Sequence, residues 1–234
     1  MPIVQMPSPG LKPKPLLDDV LTHLPSTDIQ LFARGQEIYG PGNDLSCLGL
    51  VIQGRVKLLR LTESGVPVAV NVYHAGELFG ESALLSLARR MRDGEQALAV
   101  DASKVMMWAA PEIAGLIEAD PKLAVTLMHV VAYRCQEFKD RLESLSVEDT
   151  AHRLGRALLD FADRQGGSGN GAVTIAPLTH ELLSQYVGTS REIISHHMST
   201  LRANGFIVYS RQGILVQRDM LRTWLSRKNL QLQR

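Results

Sequence analysis

Between Pro177 and Val216 the residues that start, cap and break elements are spaced so closely that they leave one arrangement of short elements. Pro177 and Thr179 open a helix that runs through Tyr186, and Gly188 turns the chain. Ser190 then caps a second helix to about Ala203, where Gly205 stops it. Two apolar runs follow, Phe206-Ile207-Val208-Tyr209 and Ile214-Leu215-Val216, flanking the turn Ser210-Arg211-Gln212-Gly213. In the second helix Ile194, Met198 and Leu201 share one face at offsets of four and three. That face must pack on the preceding helix through Leu182, Leu183 and Val187.

Helix, tight glycine turn, helix and two-stranded wing form the pattern of a winged helix-turn-helix, whose second helix enters the DNA major groove. The face left outside carries Arg191, Glu192, Ser195, His196 and Ser199. Arg191 can donate two parallel hydrogen bonds to guanine O6 and N7, and Glu192 can accept from cytosine N4; a good bidentate pair gives about 1–3 kcal/mol of discrimination. Without the turn and wing, Arg191-Glu192 would read as a charged pair on a solvated helix. Charge distribution points the same way: residues 1–149 carry 14 Lys/Arg against 19 Asp/Glu, and residues 150–234 carry 11 against 5. A basic module joined to an acidic body suits a phosphate-binding domain on a separate regulatory one.

Upstream, apolar residues alternate from Arg34 to Glu81, as in Val56-Lys57-Leu58, and glycines recur at 35, 42, 54, 65, 76 and 80. Short strands with frequent turns predict an antiparallel sandwich or barrel. A short helix over 111–119 precedes a much longer one starting at Asp120-Pro121, with Leu123, Leu127, Val130, Val131, Phe138, Leu142 and Leu145 spaced by threes and fours around Arg134. A helix of roughly 25 residues spans about 38 Å, more than a small domain requires. The stripe serves a coiled-coil dimer seam, packing on the β domain, or both on opposite faces. Another helix, 150–165, ends at the turn-rich run from Gly166 to Gly171. The expected division is a proline-rich flexible arm (1–16), a sensor domain (17–119), a dimerisation helix (120–149) and a DNA-binding domain (150–234). No run of about 18 apolar residues and no secretory leader is present, so a soluble, cytoplasmic protein with no membrane partner is expected. Cys47 and Cys135 exclude a disulfide framework and any four-cysteine cluster within one chain. They read as isolated thiols, Cys135 being a buried one beside the helical stripe; a thiol switch is the other reading. Neither a catalytic triad, a metal-binding His pair nor a phosphate-binding glycine loop can be assembled, so an enzyme is not expected.

The run Leu178-Thr179-His180-Glu181-Leu182-Leu183-Ser184-Gln185-Tyr186-Val187-Gly188-Thr189-Ser190-Arg191-Glu192 resembles the helix-turn-helix of the CRP/FNR regulators. Gly76-Glu77-Leu78-Phe79-Gly80-Glu81 is similar to their effector-pocket motif, and Val51-Ile52-Gln53-Gly54-Arg55-Val56 to a strand of their β-roll. About residues 17–225 are covered. The resemblance implies an α+β fold, with an N-terminal antiparallel β-roll, a long dimerisation helix and a C-terminal winged helix-turn-helix. It implies a bacterial transcription regulator that binds a palindromic operator as a homodimer and contacts RNA polymerase if it activates; a regulatory module of a larger complex is the alternative. DNA contacts would come from Ser190, Arg191, Glu192, Ser195 and His196, with Thr179 and Arg211 as phosphate anchors. His196 stands where family members carry a second arginine. Histidine cannot form the guanidinium fork, which leaves its base open and its protonation a variable. His197 falls at an inner-flank position and reads as partly buried.

For the effector pocket the resemblance implies Gly80, Glu81, Arg92, Arg134 and Phe138. The Arg-Ser or Arg-Thr pair that holds a cyclic phosphate in cyclic-nucleotide members is missing, and Asp93 or Glu95 takes its place. Phe138 and Lys139 stand where a hydroxyl pairs with adenine. Residues 1–46 lack cysteine, which closes iron–sulfur sensing, and Gly80-Glu81-Ser82-Ala83 offers no haem ligand; His74, just before the motif, reads as a surface strand residue. No cofactor is expected, and the effector, if there is one, is an unidentified small molecule.

Overall fold

The computed structural model describes residues 17–41, 47–85, 95–166 and 169–229. The N-terminal arm and Arg92 lie outside the described residues. Among the described residues eight strands lie in the first domain: β1 (Ile29–Phe32), β2 (Glu37–Tyr39), β3 (Cys47–Gln53), β4 (Arg55–Leu61), β5 (Pro67–His74), β6 (Leu78–Phe79), β7 (Glu95–Ala99) and β8 (Ser103–Ala109). They form two antiparallel sheets, ordered β1-β8-β3-β6 and β2-β7-β4-β5. The predicted strand 51–56 is therefore two strands, parted at Gly54 where the chain crosses from one sheet to the other. Alternating side chains from both sheets, among them Tyr39, Val51, Val56, Leu58, Tyr73, Phe79 and Val105, close the core between them.

Helices α1 (Leu17–His23), α2 (Ala110–Ala119) and α3 (Pro121–Val147) cover the outer face of the first sheet. Asp120 caps α3 by accepting from Lys122 N at 3.1 Å, with Pro121 at the first position. The long helix carries two apolar stripes, one buried and one exposed, which is the alternative of two faces among those the sequence left open. Leu123, Leu127 and Val130 are buried with Val20, Leu24, Leu48, Leu50, Trp108 and Ile113. Met128, Val131, Cys135, Phe138, Leu142 and Leu145, spaced alternately by three and four, remain exposed. Cys135 is thus exposed on the single chain, contrary to the sequence reading, whereas Cys47 is buried in β3.

Helix α4 (Thr150–Gly166) follows, then β9 (Ala172–Ile175), α5 (His180–Val187), α6 (Arg191–Ala203), β10 (Ile207–Ser210), β11 (Gly213–Gln217) and α7 (Arg218–Asn229). The wing has three strands, because β9 pairs with β11 from Ile175↔Ile214 to Ala172↔Gln217. Neither β9 nor α7 was predicted. Leu154, Leu158, Phe161, Leu183, Ile194, Met198, Ile207, Val216 and Leu221 make this domain's core, which continues across the junction to Val72 of β5.

Candidate DNA interface and effector pocket

Two caps and one left-handed turn set the reading head. Thr179 Oγ1 accepts from Leu182 N at 3.1 Å, and Ser190 Oγ accepts from Ile193 N at 3.3 Å. Between them Gly188 adopts φ +76°, a conformation that costs a side-chain-bearing residue energy, and its N–H closes on Ser184 O. Burial of Ile194, Met198 and Leu201 against Leu182, Leu183 and Val187 orients the opposite face of α6 outward. On it Arg191, Glu192, His196 and Ser199 are exposed, as is Arg211 in the turn between β10 and β11. The Glu192 carboxyl is held below its ordinary pKa by its own backbone N–H and then by the Ser190 hydroxyl, so it is ionised and ready to accept.

Ser195 is only half exposed. Its hydroxyl lies 2.8 Å from His180 Nδ1 and donates to Arg191 O at 2.9 Å, while His180 Nε2 stands 3.4 Å from the Tyr209 hydroxyl. His180 therefore ties α5, the reading helix and the wing together. Sequence reasoning missed this role and that of Tyr209, since only the fold brings residues 180, 195 and 209 together. His197 is half-buried, as expected, with burial and then His196 lowering its pKa.

The second cluster surrounds the Gly76–Glu81 motif. Gly80 has φ +80°, and a Cβ there would lie 2.5 Å from Cys47 O, so this turn accepts only glycine. The turn delivers Glu81 to Arg134 of α3: Nε donates to Glu81 Oε1 at 3.0 Å, Nη1 to Glu137 at 2.6 Å and Nη2 to Leu78 O at 3.1 Å. The guanidinium also stacks 4.7 Å above the Tyr73 ring. Burial pushes the Glu81 carboxyl up, with Arg134 holding part of the shift back. Glu95 points into the same region, accepting from Tyr39 at 3.0 Å and Ser82 at 2.9 Å. Gly80, Glu81 and Arg134 are thus brought together. Phe138 is not: it lies on the exposed stripe and lines a cavity of about 260 Å³ with Arg141, Arg153 and Tyr186, at the junction of the two domains.

His74 corrects the sequence reading. It is buried, 5.7 Å from Phe161 of α4 and with Nδ1 3.8 Å from Glu77. An alternating strand pattern assigns β5 one wet face, but the second domain covers it.

A β-roll with a motif-bound arginine, joined by a long helix to a winged helix-turn-helix with a capped and outward-facing second helix, is the architecture of a DNA-binding regulator. Residues 29–120 match the cyclic nucleotide-binding domain and residues 152–224 the Crp-like helix-turn-helix domain. The cyclic AMP receptor protein of Thermus thermophilus is 30% identical over 181 residues, covering 76% of this chain and 78% of the relative. A CRP-like cAMP-activated global transcriptional regulator of Mycobacterium tuberculosis is 25% identical over 191 residues, covering 79% and 82%. The solved structure of FixK2 from Bradyrhizobium japonicum superposes with a TM-score of 0.71 at 20% identity, over 85% of this chain and 97% of that one. The chain belongs to the CRP/FNR family of DNA-binding transcription regulators.

Proposed function

We propose that the protein reads a palindromic operator as a homodimer, under the control of a small ligand other than a cyclic nucleotide. The observation that carries the reading is α6: capped at Ser190, buried along Ile194, Met198 and Leu201, and presenting Arg191, Glu192 and His196 with no ion pair among the described residues. Arg191 and Glu192 read base edges; Thr179, Ser190 and Arg211 set the register on phosphates. Ser195 contributes through His180 as well as by facing the groove.

The dimer is supported by the exposed stripe on α3. Met128, Leu142, Phe138 and Leu145 are 60%, 65%, 45% and 47% exposed, at the three-four spacing that a two-helix seam needs. A seam of this kind would hold two α6 helices about 34 Å apart, in successive major grooves. Contact with RNA polymerase follows if the regulator activates.

A cyclic phosphate does not fit the described residues well. Arg134 already holds Glu81, Glu137 and Leu78 O, and the Glu95 carboxylate, hydrogen-bonded to Tyr39 and Ser82, would face the anion. The test is binding to labelled DNA carrying sites selected by the purified protein from a random pool, measured against competitor DNA. Competitor-resistant binding that Arg191→Ala abolishes is expected, with Leu142→Glu giving monomers in sedimentation. Selection of no sequence, or an Arg191→Ala protein that binds like the parent, would end the operator reading.

A further inference from the structure

A half-buried carboxylate shared by two buried arginines on different elements couples whatever those arginines hold. Glu137 of α3 is placed this way. Its Oε2 accepts from Arg134 Nη1 at 2.6 Å, and its Oε1 accepts from Arg164 Nη2 of α4 at 3.0 Å. Arg134 goes on to Glu81, and Arg164 Nη1 lies 3.3 Å from both oxygens of Glu77. Glu77 and Glu81 bracket β6, so the chain of charges closes on the effector motif at both ends: Glu81, Arg134, Glu137, Arg164, Glu77. The side chains of Glu77, Arg134 and Arg164 are only 3%, 9% and 12% exposed.

Other bonds cross the same junction but differ in kind. Arg55, paired with Asp101, donates to Pro177 O at 2.9 Å, and Arg141 donates to Ala69 O, Val70 O and Tyr186 O at 2.5–2.9 Å. Those acceptors are neutral carbonyls, whose strength changes little when charge enters or leaves the pocket. Arg164 instead holds carboxylates, one of which it shares with the pocket's own arginine. A ligand that draws Arg134 toward itself frees Glu137 for Arg164; one that strengthens Arg134 on Glu137 does the reverse.

We propose that Arg164 is a positioning residue for DNA reading, a latch that fixes the winged helix-turn-helix against the β-roll, and that Glu137 passes the state of the effector pocket to it. This rests on the operator reading above. With the latch closed, each reading helix is referenced to α3 and so to the dimer axis. With it open, the two helices must be brought to one spacing at an entropic cost when a full operator binds.

The experiment uses full-length protein with two duplex probes, the full site selected by the parent from a random pool and a single half-site. Arg164→Gln is expected to lose about 10-fold in affinity for the full site and under about 2-fold for the half-site. Amide exchange of β5, which faces the second domain, should speed up while that of α6 stays unchanged. Glu137→Gln should shift both readouts in the same direction, and Arg164→Lys, which keeps a charge but reaches one carboxylate at a time, should recover part of the loss. Equal losses on both probes, no loss on either, or unchanged β5 exchange would overturn the latch. A parent that selects no sequence defeats the operator reading by itself, and the exchange comparison then decides the latch without DNA.

Discussion

The reading head and the candidate effector pocket hold the same kinds of side chain in opposite states. On α6 Arg191 and Glu192 are exposed, and burial is confined to apolar residues underneath. In the pocket Arg134 and Glu81 are withdrawn from water and bonded to each other. A charge kept in water retains its hydration until a partner displaces it, so it contributes little to stability and much to recognition. A buried charge contributes to the fold through its partners and is costly to strand. Mutations in the two places should therefore separate cleanly into stability effects and recognition effects.

The largest expected effect is on the pocket side. Arg134→Leu strands the Glu81 carboxylate and leaves Glu137 to Arg164 alone, and should lower unfolding free energy by about 3–5 kcal/mol in denaturant titration. A loss under about 1 kcal/mol would show that water already reaches the pair, and the contrast would fail. Next comes Arg191→Ala, which should cost about 1–3 kcal/mol of discrimination between the selected site and one changed at a single base pair, with the denaturation midpoint unmoved. Thr179→Ala sits between the two classes because its hydroxyl caps α5; about 1 kcal/mol of stability should go, with base discrimination intact. A change in discrimination instead would place Thr179 among the base readers.

The smallest effect concerns pH. Burial and the neighbouring His196 lower the pKa of His197 in the folded state, so the unfolded chain binds its proton more readily. Stability is then complete above the ordinary histidine pKa of about 6.5 and declines as pH falls through that value toward the lower folded one. His197 is partly exposed, so the decline should be under about 0.5 kcal/mol after solvent screening. It should vanish in His197→Gln when the two proteins are compared between pH 8 and pH 5.

The reading head was legible because its determinants are local. Thr179, Gly188, Ser190 and Gly205 mark caps and turns within a few residues of what they act on, and the step from Ile194 to Met198 to Leu201 names the buried face of a single helix. An antiparallel sandwich or barrel was legible from alternation and recurring glycines, and the family resemblance narrowed it to a β-roll, but the crossing at Gly54 was not legible, since an alternating run reads the same whether or not the chain changes sheets there. The strand β9 lacked an identifiable partner in its own neighbourhood; β11, forty residues on, supplies it. In the long helix two stripes with one spacing overlapped in the periodicity, and only packing against Trp108 and Ile113 told the buried one from the exposed one.

His74 and Arg164 show where sequence reasoning stops. Position in a strand made His74 a surface residue, and nothing near Arg164 in the chain names Glu77 or Glu137 as its partners. By itself the sequence determined the class of fold, the order of its parts and the residues on the outward face of α6, because capping, turn geometry and helical periodicity act over a few residues. Only the tertiary structure decided which charges are buried together and how the two domains are joined, because burial of a charge depends on what the rest of the chain brings to cover it.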